Sequence, residues 1–294
     1  MIDVIIIGGG PAGVTAALYT ARANFKTTII CKDQGALGKA ERVDNYYGHM
    51  EISGQTLMNT GLEQARHVGA EIVSDEAVSM CLTDAGSIIV ATISESYEAR
   101  AAILATGATR FIPKIKGFAD VDGRGISYCA ICDGFFHRGK DVAVLGSGAY
   151  ALHEVEDLLP VAHSVTLLTN GEEPSVDFPE KVIVRSEKIK EITANKSFAG
   201  KVLKGIILEN GTALDFSGLF IAVGIAGGTE LARKMGAIVE KNAVVVDSMM
   251  LTSVPGLWAA GDCTGGLKQI AKATYQGAEA GMDIIRYLRE RDRL

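Results

Sequence analysis

The apolar residues Val4-Ile5-Ile6-Ile7 form an unbroken run, the pattern of a strand buried on both faces of a parallel sheet. Gly8-Gly9-Gly10-Pro11-Ala12-Gly13 follows, then a small-residue stretch that predicts a helix over 14–23 and a second strand over 27–31. Residues 35–48 are polar and irregular, with Asn45-Tyr46-Tyr47-Gly48 as a turn. A helix is expected over 55–69 and short strands over 71–73, 78–82 and 88–93, the last two separated by the turn signals Asp84 and Gly86. Residues 101–107 predict a buried strand ending in a small, tight corner, and 113–125, rich in proline, glycine and charge, predicts a linker. The pattern then starts again. Asp141-Val142-Ala143-Val144-Leu145 leads into Gly146-Ser147-Gly148-Ala149-Tyr150-Ala151 and a helix, with further strands over 165–168 and 218–224. The end of the chain returns to small residues: a strand over 255–262 that closes in Gly261-Asp262, then Gln269-Ile270-Ala271 and a final helix.

A strand, a glycine turn and a helix in this order suit a bound dinucleotide. Gly8 allows the tight turn, Gly10 lets a pyrophosphate approach the backbone, and Gly13 permits close helix-strand packing, with the phosphates on the helix N-terminus. Two such units stand in one chain, so the expected fold is α/β, with two tandem dinucleotide-binding domains of the Rossmann-like, three-layer kind. Asp33, at the end of the second strand, reads either as a ribose acceptor or as a solvated turn residue. Asp262 reads either as an acceptor for a sugar-alcohol chain or as the N-cap of the helix after it.

Composition narrows the class. With 294 residues, 48% of them hydrophobic, the chain can bury two cores. A formal net charge of -6 and the lack of any Lys/Arg block argue against nucleic acid as a partner. No stretch is long or apolar enough to span a membrane, and the run from Ile2 to Ile7 lacks the length and basic start of a signal sequence. Five cysteines, an odd number without a framework, suit a reducing compartment, so the expected location is the cytoplasm. Cys31, Cys81 and Cys263 read as small core residues.

The remaining two cysteines carry the chemistry. Cys129-Ala130-Ile131-Cys132-Asp133-Gly134 puts two thiols one turn apart at the start of a predicted helix, whose N-terminus would lower a thiol pKa. Asp133 would supply or accept the proton of an exchange step. Half of a zinc site, or two unpaired buried thiols, are the alternatives. Zinc needs four ligands, and no second Cys or His pair stands at ligand spacing; His137 is near but alone. The motif therefore reads as redox, provided the chain can deliver electrons to it.

Taken together, Gly8 to Gly13, Ala105-Thr106-Gly107, Cys129-Ala130-Ile131-Cys132-Asp133-Gly134-Phe135-Phe136, and Ala260-Gly261-Asp262 with Lys268-Gln269-Ile270 resemble the low-molecular-weight thioredoxin reductases, in order and spacing and over essentially the whole chain. The resemblance implies FAD as cofactor, thioredoxin as partner and a homodimer. It implies an FAD-binding domain made of residues 1–112 and 222–294, with a nucleotide-fold domain, 113–221, inserted between them and carrying the disulfide. Cys132 would be the flavin-side thiol, Cys129 the thiol that attacks thioredoxin, and Asp133 the acid-base group. FAD would be held by Gly8, Gly10, Pro11, Ala12, Gly13, Asp33, Asn45, Ala77, Thr106, Gly107, Gly261, Asp262, Gln269 and the Ile270 amide. The inserted domain would have to rotate about linkers near Pro113 and Gly224 to serve both flavin and thioredoxin.

The inserted domain departs from the family pattern. NADPH-dependent members carry basic residues after the second glycine unit's next strand, and this chain has Thr169-Asn170-Gly171-Glu172-Glu173-Pro174 there. A phosphate dianion needs Arg or Lys forks, and carboxylates in their place repel it. Tyr150 is also bulky for the helix start, and an inward ring would occupy the pyrophosphate site. The expectation is a ferredoxin-dependent flavin thioredoxin reductase, a subset that resembles this chain in keeping FAD and C-x-x-C while lacking the NADPH clamp. The alternatives are an NAD(P)H-dependent reductase with an atypical nicotinamide site, or a non-catalytic flavin redox sensor. Ferredoxins are acidic, so a docking face would be basic: Arg110, Lys114 and Lys116, or Lys268 and Lys272 with Arg286, Arg289, Arg291 and Arg293, unless the last run is only a solvated face of ion pairs.

Overall fold

The computed structural model describes residues 1–33, 35–107, 113–198, 200–223 and 227–293, with Cys132 described without its side chain. The chain divides into two compact units, Met1–Thr109 with Gly227–Leu294, and Arg110–Ala226. Both are α/β, each built on a parallel sheet with a glycine turn after its first long strand.

In the first unit the buried run Ile2–Ile7 pairs in parallel with Thr27–Ile30 on one side and with Ser96–Leu104 on the other. Glu71–Val73 extends the layer beyond Thr27–Ile30, and Leu257–Ala259, from the far end of the chain, joins Ser96–Leu104. Ser96–Leu104 serves two purposes. Its first half pairs antiparallel with Ile88–Thr92, itself paired with Ala77–Leu82, and its second half lies in the parallel layer. The strand therefore starts five residues before the expected 101, because Ser96 to Arg100 alternate in burial and carry no apolar run to read.

Two helices cover one face of this sheet, Pro11–Arg22 and Ile270–Arg291. Their contact is lined with Ala12, Ala16, Ala17, Ala273 and Ala280, which join a core holding Val4, Ile6, Ile103 and Trp258. Small residues let the helices approach closely. A Cβ on Gly277 would stand 2.2 Å from the Ala12 carbonyl oxygen. The helix over Pro11–Arg22 begins three residues before the expected 14, since proline at its first position already has the required φ. Gly35–Gly38 forms a single helical turn inside the stretch expected to be irregular.

The second unit has a sheet in the order Ile183–Arg185, Ser164–Leu168, Asp141–Leu145, Gly218–Ile221, Ile126–Ser127, and a separate antiparallel sheet of Ile189–Ser197, Gly200–Leu208 and Ala213–Asp215. The stretch over 113–125 is not a linker throughout. Phe118–Val121 forms a helical turn whose Phe118 and Val121 are buried in the core with Ile126, Leu145 and Ile206. Its glycines and proline shape entry into that turn, and Gly117 takes a φ of 84°. Gly224 and Arg110, of the expected linker and docking face, lie outside the described residues. Among the described residues, no helix is long and apolar enough to cross a membrane.

Candidate functional site

The redox segment leaves the edge strand Ile126–Ser127 and enters a helix of only four residues, Ala130–Asp133, closed by the Asp133 N–H donating to the Cys129 carbonyl at 3.1 Å. Cys129 is buried and disulfide-bonded; Cys31, Cys81 and Cys263 are free thiols. The Cys132 side chain lies outside the described residues. Ser127 ties the segment together. Its hydroxyl donates to Asp133 Oδ2 at 2.6 Å and accepts the Cys129 N–H at 3.2 Å, which fixes the half-buried carboxyl group beside the cysteine turn.

The expected lowering of a thiol pKa by a helix N-terminus meets an obstacle here. One turn sums few peptide dipoles. Its first N–H, from Ala130, donates to the buried carboxylate of Glu154 at 2.6 Å. His137 follows in the next turn, with Nδ1 3.0 Å from the Ser217 hydroxyl and its ring edge-on to Phe220. Burial first, and then Lys140, push its pKa below the ordinary value, against a smaller opposite pull from Asp133. Ile131, Phe135 and Phe136 are exposed around the segment, with Phe135 and Phe136 packed edge to face and the Arg138 guanidinium over the Phe135 ring.

The cofactor cradle expected in the first unit can be tested on its own geometry. Gly8 has a φ of 112°, and a Cβ there would meet the Ala105 carbonyl oxygen at 2.3 Å; one on Gly13 would meet the Gly8 carbonyl oxygen at 1.9 Å. Gly10 caps the Pro11–Arg22 helix without a side-chain hydrogen bond, and a Cβ on it meets nothing within 4 Å, so the backbone at this helix start has room for a ligand beside it. Thr106, beside Gly107 with its φ of 75°, holds a buried hydroxyl that has no hydrogen-bond partner among the described residues. From the other end of the chain, Gln269 precedes the Ile270–Arg291 helix and accepts a hydrogen bond from Asn45 at 2.9 Å, 224 residues away. An open helix start, an orphaned buried hydroxyl and a second helix start with no side-chain cap are what a long phosphate-containing ligand would satisfy. The residues present therefore fit FAD: the Gly10 turn for its phosphates, Thr106, Asn45 and Gln269 for polar groups.

Asp262 starts a short turn, Asp262–Thr264, eight residues before Ile270, and caps nothing with its side chain, so the N-cap alternative does not hold. Asp33 is exposed, and its Oδ1 accepts the Gly35 N–H at 2.7 Å, the geometry of a turn residue. Ala77 is buried at the start of its strand. Lys272 is not on a docking face. Its ammonium donates to the carbonyls of Gly261 and Gly265 at 2.6 and 2.8 Å and to the Thr264 hydroxyl at 3.0 Å, and burial lowers its pKa. Gln276, one turn later, accepts the Gly261 N–H at 2.9 Å. These two side chains hold the loop that presents Asp262.

At the second glycine turn the acidic stretch folds back on the glycines. The Ser147 hydroxyl donates to Glu172 Oε2 at 2.7 Å, and the Ser175 N–H donates to the Ser147 carbonyl at 2.8 Å. Asn170 and Gly171, with φ of 54° and 91°, make the bend that brings Glu172 there. Tyr150 is buried, but its hydroxyl donates to the Tyr128 carbonyl at 3.1 Å, so its ring braces the redox segment.

Residues 2–277 match the family model described as pyridine nucleotide-disulphide oxidoreductase. A thioredoxin reductase of Aquifex aeolicus (strain VF5) is 34% identical, over 97% of this chain and 93% of that protein. The chain belongs to the thioredoxin reductases of this family. It is an FAD flavoprotein and a disulfide reductase. Among solved structures, the atypical thioredoxin reductase TRi from Desulfovibrio vulgaris Hildenborough has a TM-score of 0.89 at 36% identity, covering 99% of each chain. A ferredoxin-flavin thioredoxin reductase from Clostridium acetobutylicum has a TM-score of 0.69 at 26% identity, covering 98% of each. In this reductase Ser127, Glu154 and Gln276 escaped the sequence reading, and Lys272 reads there as a docking cation rather than a brace of the Asp262 loop. Of the missed residues only Gln276 left a trace, the four-residue spacing that puts it on one helix face with Lys272.

Proposed function

We propose that this reductase draws electrons from reduced ferredoxin and passes them through FAD and the Cys129-Cys132 pair to thioredoxin. The observation that carries this reading is the bond between Ser147 and Glu172, which fastens a carboxylate to the second glycine turn, where a coenzyme 2'-phosphate would need Arg or Lys. The likeness to a ferredoxin-flavin thioredoxin reductase supports it.

Bound FAD supplies the exchange between one-electron and two-electron chemistry. The disulfide takes up two electrons and two protons to become a dithiol, with Asp133, steadied by Ser127, beside it to pass a proton. The Cys129 thiolate attacks thioredoxin's disulfide and forms a mixed disulfide. Cys132 then attacks Cys129, the internal disulfide re-forms, and thioredoxin leaves as a dithiol. Exposed Phe135, Phe136 and Ile131 offer thioredoxin an apolar landing surface around the pair. FAD is held by the two-ended cradle of Gly8 to Gly13, Asn45, Thr106, Gly107, Gly261, Asp262, Gln269 and Ile270. The reductase acts in the cytoplasm as a homodimer.

One observation favours an NAD(P)H-dependent second reading: the Lys188 stem lies against Gly171, so a cation stands beside the same loop. Anaerobic rapid mixing separates the two. Reduced ferredoxin is expected to bleach the flavin within the turnover time and to support thioredoxin reduction, while NADPH and NADH leave it oxidised. Rapid bleaching by either pyridine nucleotide overturns the ferredoxin reading and establishes the second.

A further inference from the structure

Glu154 is a buried carboxylate that the reaction so far does not use. It sits on the Ala149–Leu158 helix, 1% exposed, and its Oε2 takes the N–H of Ala130, the residue next to Cys129 and the first of the four-residue turn that contains Cys132. Amide N–H groups at such a turn are ordinarily what stabilises a thiolate. Here the first of them is donated to the Glu154 carboxyl group, a bond that favours its ionised form, which has the thiolate's own sign of charge. Tyr150, one turn earlier on the same helix, fastens to Tyr128 on the other side of Cys129. The helix thus grips the redox segment at two points, one of them through a carboxyl group.

We propose that Glu154 is a positioning residue that sets the redox poise of the Cys129-Cys132 pair: it clamps the turn, disfavours the thiolate and makes the dithiol a stronger reductant. A disulfide reductase whose dithiol carries stabilised thiolates becomes an oxidant, because stabilising the reduced form raises the potential. An ionised carboxylate beside the pair works in the opposite sense, through like-charge repulsion. The other titratable groups around the segment are Asp133 on the turn itself, His137 and Lys140 after it, Asp122 through Tyr128, and His153 and Asp157 on the Glu154 helix. The inference rests on the dithiol reading above and is independent of the electron donor.

Glu154→Gln keeps the size and the acceptor oxygen while removing the charge. The FAD-loaded variant and the wild type are equilibrated with dithiothreitol buffers, alkylated, and mapped by mass spectrometry, so that the oxidised fraction of the Cys129-Cys132 peptide is read directly. The equilibrium is expected to shift at least tenfold toward the dithiol, about 30 mV in potential, and alkylation of the reduced pair is expected to move to lower pH. An unchanged equilibrium and an unchanged pH profile overturn the proposal. A peptide that never forms the disulfide would instead sink the dithiol reading, which separates the two failures. Should the variant not fold, the wild type decides: its first alkylation inflection is expected at or above that of an ordinary thiol, about 8.5, with exposed Cys81 as internal reference. An inflection well below that overturns the proposal.

Discussion

His137 shows how one side chain couples the redox segment to pH. Burial holds its pKa below the ordinary value, so as pH falls the unfolded chain takes up the proton before the folded one does. Stability is therefore full above the unfolded-state pKa, about 6.5, and is lost as pH falls through it toward the lower folded value. Urea midpoints of the wild type are expected to drop between pH 7.5 and 5.5 by more than those of His137→Gln; equal drops would remove His137 from the account. At this scale the legible residues were those whose type announces chemistry. Cys129, Cys132 and Asp133 stand within five positions and name their own reaction class. Glu154 meets Ala130 across 24 residues and Ser147 meets Glu172 across 25, so only the folded chain pairs them. Lys272 misled for a related reason: a lysine reads as a surface charge until carbonyls are seen around it.

In the proposed FAD cradle the helices over Pro11–Arg22 and Ile270–Arg291 are the element pair whose N-terminal ends would supply the two anion-binding edges. Their separation is set where Gly277 crosses Ala12, and a Cβ there meets backbone, which cannot swing aside as a side chain would. Gly277→Ala is expected to push the helices apart at a cost of about 1–3 kcal/mol, the usual range for overpacking, and to lower FAD content. Flavin absorbance per protein and the thermal midpoint check it; full FAD content at an unchanged midpoint would show that the crossing tolerates the methyl group. Buried strands were legible because both their faces are apolar, and the glycine turns because only glycine fits them. Ser96–Leu104 and Phe118–Val121 were misjudged in extent or kind for one reason. Each owes its structure to partners distant in sequence, the Ile88–Thr92 strand and the Ile192–Leu203–Ile206 core, which override weak local signals.

On the scale of the whole molecule, two glycine-turn units in tandem were legible because each carries its own strand, turn and helix, whereas the electron donor depends on surface charge, which sequence counts but does not distribute. The expected basic face shrinks in the fold. Lys116 pairs with Glu191, Arg286 with Asp283, Arg291 leans on Tyr287, and Lys272 is tied to the Gly261 and Gly265 carbonyls. Lys114, Lys268, Arg289 and Arg293 remain exposed, and of these Lys268 stands beside exposed Leu267 and directly before Gln269 of the proposed cradle, so an acidic donor steered to it arrives near the cofactor's polar edge. If ferredoxin is the donor, Lys268→Glu is expected to slow its association at least threefold at low ionic strength. The slowing should fade toward 1 M salt, where the Debye length is about 3 Å. The rate of thioredoxin reduction by chemically pre-reduced enzyme should not change, since that step uses the other unit. Stopped-flow bleaching across a salt series measures the first, and a single-turnover disulfide assay the second. A slowing that persists at high salt would mean that the substitution damages the cradle, and no slowing at any salt would place the acidic donor's approach elsewhere on the reductase.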